Sequence, residues 1–420
     1  MLKLPAILLI ALSFSIQGIT QRTMSGIVVD QASGQPLPGA SVFISNTSKG
    51  TVTDNTGAFR LIDLPVGHQE LIVSSVGFET NAFSFSSEKL PMIVRVEMQV
   101  KVKELENVMV EPSVIEGWDK WGRLFLDHFI GRTPNAQKCR IKNYKSIRFR
   151  YFKKSNRVIA WSDEPLIIEN KALGYTLHYQ LENFEANFRS QVTTYSGYPY
   201  FEDHQEEGKK IRNRWQAARE KAYAGSIMEF IRSVYNNTLT ADGYDVRRMV
   251  RTPNHEKLRV RDIYSARSRG EMPAGVSING QVKISLTGKQ NTDSVINDSS
   301  DYYSRIMRQD DHIDTYGSSV LTADSLIINR DGIYKAIWFD DYLYITYKNE
   351  VEDKLYLQNF GEKRSPSFQR SLIWLASKSP VLIDANGSYS PPQEIFSTSY
   401  WGWSEKIADL LPLDYMPEKP

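Results

Sequence analysis

From Gly26 to Met98 apolar and polar residues alternate in short runs, and each run stops at a cluster of Gly, Pro, Asn or Asp. "SGIVVD", "SVFIS", "AFRLIDLP", "HQELIVSSVGFET" and "MIVRVEMQ" recur roughly every ten residues, the spacing of short strands joined by turns. Period-two alternation sends successive side chains to opposite faces, so each run can bury one face and wet the other. "QASGQPLPGA" and "TDNTG" supply turn residues between the runs. The pattern predicts a small antiparallel β-sandwich over residues 24–100. Gly39 and Gly57 are expected at tight turns, Pro36 and Pro38 as stiffeners, and Phe59 and Phe78 in the interior.

These runs, together with the closing "VRVEM", resemble the carboxypeptidase-regulatory-like domain, a transthyretin-like sandwich. The resemblance implies a fold and an accessory role beside other domains. It implies no reaction. "KVKELENVMVEPS" follows as a strand and then a linker, placed over residues 101–116 with a boundary near residue 112.

The chain has 420 residues, enough for two or three domains with a sizeable core. Its 41% hydrophobic and 24% charged residues describe a globular protein. A net charge of +2 gives no global field for nucleic acid or an acidic membrane, so no nucleic-acid partner is expected. Cys139 is the only cysteine, which rules out an internal disulfide and leaves packing as its expected role.

The N-terminus has the composition of an export leader: Lys3, then an apolar run from Leu4 to Ile16, too short to span a bilayer comfortably. Cleavage near Thr20 makes residues 1–20 a signal peptide. No Cys follows to carry a lipid, no second apolar stretch reaches spanning length, and "LDYMPEKP" does not resemble the closing strand of an outer-membrane barrel. The expectation is a soluble exported protein of the periplasm or cell envelope, with no transmembrane segment after leader removal.

Residues 117–416 read as a larger mixed sheet-and-helix region, so the whole chain is β-rich and α+β. In "GWDKWGRLFLDHFIG", Trp118, Trp121, Phe125 and Phe129 form one helical stripe beside His128. "SIRFRYF", "RVIAWS", "PLIIEN", "YTLHYQLENF" and "SQVTTYSGYPYF" are strand-like. "EDHQEEGKKIRNRWQAAREKAYAGSIMEFIRSVYNN" is helical and broken near Gly225, with Ile211, Trp215 and Ala218 on one side and Ile227, Phe230, Ile231 and Val234 on the next. Its basic run of Lys209, Lys210, Arg212, Arg214, Arg219 and Lys221 reads as a solvated face paired with Glu206, Glu207 and Glu220. Asn279-Gly280, Asp331-Gly332 and Asn386-Gly387 mark turns between strands. "YLYITYKN" and "SLIWLAS" are further strands, "KQNTDSVINDSSD" is a polar loop, and "WSEKIADLLP" is expected to form a short helix.

"KWGRLFLDHFIGRTPNAQKCRIKN", "EPLIIENKALGYTLHYQLENF", "YSGYPYF", "NRWQAAREKAYAGSIMEFIRS" and "VLIDANGSYSPPQEI…YWGWSEKIADLLPLDYMP" resemble a family of Bacteroidetes-type exported proteins, the carboxypeptidase-like regulatory domain-containing proteins. The resemblance implies no catalytic residues.

The residues themselves offer no recognisable active site. His204 and Glu207 form a His-x-x-Glu pair, with His255 and His312 as possible third ligands, but the context is a charged helix start and not a peptidase zinc site. No Gly-x-Ser-x-Gly elbow and no Gly-rich phosphate loop occur. Asp310-Asp311 and Asp340-Asp341 are neighbours, which on a strand point apart. A transporter barrel of about 22 strands does not fit after residue 112. No catalytic, cofactor or metal residue is assigned. The expected function is non-enzymatic binding of an envelope protein or a glycan, with Tyr198, Tyr200, Trp401 and Trp403 as candidate contacts and core packing as the competing role for each. The alternative is a secreted peptidase or glycosidase whose carboxylates lie far apart in sequence.

Overall fold

Residues 22–101, 111–204, 208–268, 301–330 and 332–418 are described by a computed structural model. The expected leader, most of the linker, Glu206, Glu207, Asp331, the Asn279-Gly280 hairpin and all but the last residue of the polar loop lie outside them. The chain is mixed α+β with several antiparallel sheets. It divides into two compact units, one of residues up to Ile130 with Lys138–Arg219 and 411–420, the other of Gly131–Gln137 with Glu220–Leu410.

The first unit begins with seven strands: β1 (Met24–Asp30), β2 (Ser41–Ile44), β3 (Gly50–Val52), β4 (Ala58–Leu61), β5 (His68–Ser74), β6 (Asn81–Ser86) and β7 (Met92–Met98). They form two sheets, ordered β4-β1-β7 and β3-β2-β5-β6. Met24, Val28, Val42, Ile44, Phe59, Leu71, Val73, Phe85 and Met98 fill the interior, and Phe78 packs at its margin. Each large side chain taken fully out of water stabilises by about 1.5–3 kcal/mol. One pairing departs from the antiparallel expectation: β7 runs parallel to β1, with Met24 opposite Met92. Strands β3 and β6 carry weak sequence signals, being three residues long and Ser-rich respectively. Gly57 takes φ +72°, and a Cβ there would meet the Val28 carbonyl at 2.5 Å. Gly39 takes φ +74° with nothing within 4 Å of a Cβ.

Seven further strands complete this unit: β8 (Ser113–Glu116), β9 (Cys139–Ile141), β10 (Arg148–Phe152), β11 (Arg157–Trp161), β12 (Leu166–Asn170), β13 (Tyr175–Asn187) and β14 (Val192–Asp203). Their order is β8-β10-β11-β13-β12-β9, with β14 on β13 as a long hairpin. Helix α1 (Trp118–Phe125) and the π-turn Leu126–Ile130 press the predicted stripe onto this sheet, Phe125 lying 4.7 Å from Phe184 and Phe129 5.0 Å from Tyr179, centroid to centroid. His128 Nδ1 is 3.0 Å from the Thr193 hydroxyl, and Cys139 is half-buried. Helix α2 (Lys209–Tyr223) seats Trp215 on Gly174, where a Cβ would lie 2.3 Å from the indole. Arg219 donates to the Leu173 carbonyl and to Asp203, each at 2.7 Å, while Lys209, Lys210, Arg212 and Arg214 are exposed. The sandwich joins the sheet through Asn46, whose N–H donates to the Pro199 carbonyl, and Thr47, whose carbonyl accepts from Phe201. Asp414 accepts from the Ser48 amide at 2.9 Å and from its hydroxyl at 2.5 Å.

The second unit opens with α3 (Ile227–Asn236), separated from α2 by Gly225 at φ +74°. Ser226 caps it, accepting from the Glu229 amide at 3.1 Å. There follow β15 (Tyr244–Pro253), α4 (His255–Ser268), a helix α5 over 301–307, β16 (His312–Tyr316), α6 (Ala323–Leu326), β17 (Ile327–Asn329), β18 (Lys335–Ile337) and β19 (Tyr342–Val351). The unit ends with α7 (Lys354–Asn359), β20 (Phe368–Leu375), β21 (Val381–Ile383), β22 (Tyr389–Ser390), β23 (Ile395–Ser399) and α8 (Tyr400–Ser404). The sheets are β16-β15-β19-β20-β23 and β17-β18-β21-β22. β17 and β18 pair antiparallel around Gly332, and Gly387 turns β21 into β22, as the dipeptides predict. The last helix differs from expectation. It ends at Ser404, and "EKIAD" forms bends and turns in which Ile407 and Ala408 are buried.

Candidate functional site

The five-stranded sheet of the second unit has two different faces. Its inner face carries Tyr244, Val246, Leu343, Ile345, Tyr347, Ile373 and Leu375, all packed with Phe230, Ile231 and Val234 of α3 in one core. The alternate residues point the other way. Met249 lies opposite both Tyr316 and Tyr342, and Trp374 opposite Phe396. The Tyr342 and Trp374 rings are 5.6 Å apart, and Trp374 stacks on Phe396 at 5.5 Å and 24°. Tyr316, Met249, Tyr342, Trp374 and Phe396 therefore form one cross-strand row over all five strands, about 19 Å long at the usual strand spacing. Tyr344 adds a T-shaped contact to Tyr316 at 4.8 Å. Tyr316 is 50% exposed, Met249 is fully covered, and the other rings are partly exposed.

Cations border the row. Arg251 grips Asp314 through two hydrogen bonds of 2.7 Å and lies 5.2 Å above the Tyr342 ring. This contact holds the Asp314 carboxyl below its ordinary range. Arg247 and Lys348 share Asp245, whose carboxyl is likewise lowered, first by its bond from Arg247. Arg370, opposite Thr346 on β20, is exposed, and no carboxylate pairs with it among the described residues. Across these positions four cations face two carboxylates, a balance of +2. Burial raises the Tyr316 hydroxyl above its ordinary range, and Asp314 raises it further.

The same unit also contains a cavity of about 80 Å³. Glu350, Asp353, Glu405 and Asp409 line it together with Lys221, Tyr400 and Trp403. Desolvation pushes the Glu405 carboxyl up to about 8 and that of Asp409 to about 6. Asp409 accepts from the Thr133 hydroxyl at 2.5 Å and from Asn135 at 2.7 Å, which offsets part of its rise. The Trp403 N–H is buried and meets no acceptor among the described residues. The volume suits a few waters and falls well short of the roughly 300–1,000 Å³ of a ligand pocket.

The four contact candidates lie elsewhere than the row. Trp401 and Trp403 are only 3% and 5% exposed. Trp401 packs on Phe230 at 5.4 Å, and Trp403 walls the cavity. Tyr198 and Tyr200 on β14 are half-buried, and Tyr200 lies 5.6 Å from Phe43 of the sandwich. Of the zinc candidates, His204 engages the Thr176 hydroxyl at 2.8 Å. Glu207 lies outside the described residues, among which no group of three or more His, Cys, Asp and Glu is placed to hold a metal. The aromatic row had one sequence signal, the alternation of Tyr342 and Tyr344 with Leu343 and Ile345.

Residues 24–110 match the CarboxypepD_reg-like domain family. The N-terminal sandwich is a CarboxypepD_reg-like domain. A TonB-dependent receptor, P39 of Formosa agariphila, is 28% identical over 105 residues, 25% of this chain and 10% of the receptor. The chain thus spans about a tenth of that relative's length. Among solved structures, a cohesin–X-dockerin complex of Acetivibrio cellulolyticus is 22% identical over 19% of this chain and 57% of that one, at a TM-score of 0.17. Catechol 1,2-dioxygenase of Acinetobacter sp. ADP1 is 14% identical over 24% and 59%, at 0.18. A protein of unknown function from Bacteroides fragilis, classed as membrane-associated, is 10% identical over 87% and 93%, at 0.15. None of these scores reaches the level of a shared overall fold. The family match ends at residue 110.

Proposed function

We propose that the protein is exported to the cell envelope and acts there by binding, without catalysis, holding a protein or glycan partner on the outer face of the five-stranded sheet. The observation that carries this is the row of Tyr316, Tyr342, Trp374 and Phe396, large rings left partly exposed where a sheet serving only stability would present short polar side chains. Export is supported by the leader-like N-terminus and by the CarboxypepD_reg-like domain, a module that this chain shares with a TonB-dependent receptor. No helix among the described residues is long and apolar enough to cross a membrane. A photo-crosslinking residue at Tyr316, introduced in the native host, tests the reading. A discrete adduct that disappears when the probe is moved to exposed Val76 is the expected result, and labelling no different from that control counts against it.

A second reading is favoured by one carboxyl at the cavity, and it requires the cavity to open, since about 80 Å³ admits water and no substrate. A carboxyl held up to about 8, as in Glu405, stays protonated at neutral pH and can donate a proton as a general acid does. Peptide or glycan hydrolysis by the purified protein, lost in Glu405→Gln with folding intact, would place a hydrolase there; inactivity across both substrate classes leaves the binding reading standing.

A further inference from the structure

The chemistry of the same sheet face selects among partners. This step rests on its reading as a binding face, and we infer that its occupant is a linear acidic polysaccharide, one carrying carboxylate or sulfate groups along its chain.

Three features converge. First, the rings are ordered. Four of the five strands present a ring in the row, Tyr316, Tyr342, Trp374 and Phe396, with covered Met249 between Tyr316 and Tyr342, and Trp374 and Phe396 lie nearly parallel, 24° apart. A polysaccharide chain offers the complement, successive rings whose axial C–H groups form apolar patches suited to the electron-rich faces of aromatics. Secondly, the tips are polar. Tyr316, Tyr342 and Tyr344 end in hydroxyls that donate and accept, matching sugar hydroxyls. A protein hot spot instead takes an anchor into a desolvated pocket, and this face is an open row.

Thirdly, the charge is one-sided. Among the described residues the two carboxylates on the face, Asp245 and Asp314, are already held by Arg247, Lys348 and Arg251. Arg370 remains open. Its planar guanidinium fits a carboxylate or sulfate through two parallel hydrogen bonds. Arg251 is fixed above the Tyr342 ring, so a cation and a stacking surface occur together. A neutral glycan uses the rings and leaves this charge unanswered, whereas an acidic one uses both.

The test is affinity electrophoresis and calorimetry of the full chain against polygalacturonate, alginate and heparin, with fully methyl-esterified polygalacturonate as a control of the same backbone without charge. Binding to at least one acidic polymer is expected, falling at least tenfold as ionic strength rises from low to physiological. Esterification abolishes it, Trp374→Ala removes it, and Arg370→Gln weakens it about three- to tenfold, in keeping with one charge-assisted contact at an open site. Arg370 is exposed, so its variant folds even if Trp374→Ala does not. Equal binding of the charged and esterified polymers overturns the acidic class while the face remains a binding face. No binding to any polymer overturns the glycan altogether. A crosslink at Tyr316 to an envelope protein would then preserve the binding reading alone, and no crosslink would remove both.

Discussion

The indole N–H of Trp401 donates to the Gly225 carbonyl at 2.6 Å, tying α8 to the turn between α2 and α3. The acceptor lies 176 residues away, and the ring is 3% exposed, so the bond is made in the interior where an unmade partner is costly. Trp401→Phe is expected to lower stability by about 1–2 kcal/mol through the orphaned carbonyl, and Trp401→Ala by about 3–5 kcal/mol through the cavity it leaves. Urea denaturation measures both. A change within about 0.5 kcal/mol, the range of surface substitutions, would return Trp401 to the list of surface contacts.

The raised carboxyls of Glu405 and Asp409 make stability depend on pH. In the folded state Glu405 titrates near 8 against an ordinary 4.5, and Asp409 near 6 against 3.8. The folded protein therefore binds the proton more tightly than the unfolded chain. Each contribution is fully present below the ordinary value and is lost as pH rises through the folded one, at about 1.4 kcal/mol per pH unit for each group while it titrates. Between pH 6 and 8 Glu405 is the group of this pair still titrating. Glu405→Gln should flatten the decline over that window relative to the parent and be the more stable protein at pH 9. Parallel curves for the two proteins would sink the assignment.

Gly57 and Gly39 share a positive φ but not a neighbourhood. Gly57→Ala meets the Val28 carbonyl, and Gly39→Ala meets only the conformational cost of about 1–2 kcal/mol. Thermal melts should place Gly57→Ala clearly below Gly39→Ala. Equal losses would mean that the turn around Gly57 relaxes without strain.

Asp414→Ala removes the carboxylate that receives both donors of Ser48. A loss of about 1.5–3 kcal/mol is expected, the range for hydrogen bonds to a charged group. Asp414→Asn, which keeps an acceptor oxygen, should restore part of it.

Much of this fold is legible locally because its signals are local. The sandwich follows from alternation and turn residues, the α2–α3 break from Gly225, and the Asn386-Gly387 turn from its dipeptide. Strand β6 does alternate Phe with Ser, but its turn-prone Asn and Ser residues mask that signal, and the parallel partner of β1 is fixed only by a crossover between sheets. The cavity had no sequence signal. Its walls come from five separate stretches around Thr133, Gly225, Asp353, Gln369 and Glu405. Asp409 finds its donors in Thr133 and Asn135, 276 and 274 residues distant. Trp401 and Trp403 are candidate contacts for which core packing is the favoured competing role, and both are in the core, since an aromatic cluster records size and shape but not which side faces water. The aromatic row was half visible, in Tyr342 and Tyr344. Its completion by Tyr316, Trp374 and Phe396 depends on strand register, which no single strand encodes.

The pairing of Ser48 with Asp414 spans 366 residues. A chain made from its N-terminus delivers Ser48 long before the carboxylate that answers it. The CarboxypepD_reg-like domain can gather its own interior early, and Asn46 and Thr47 can meet Pro199 and Phe201 next, yet the bonds of Ser48 wait for Asp414. Asp414 is thus a late-arriving latch, and a product cut short before it would carry that part of the seam unsealed.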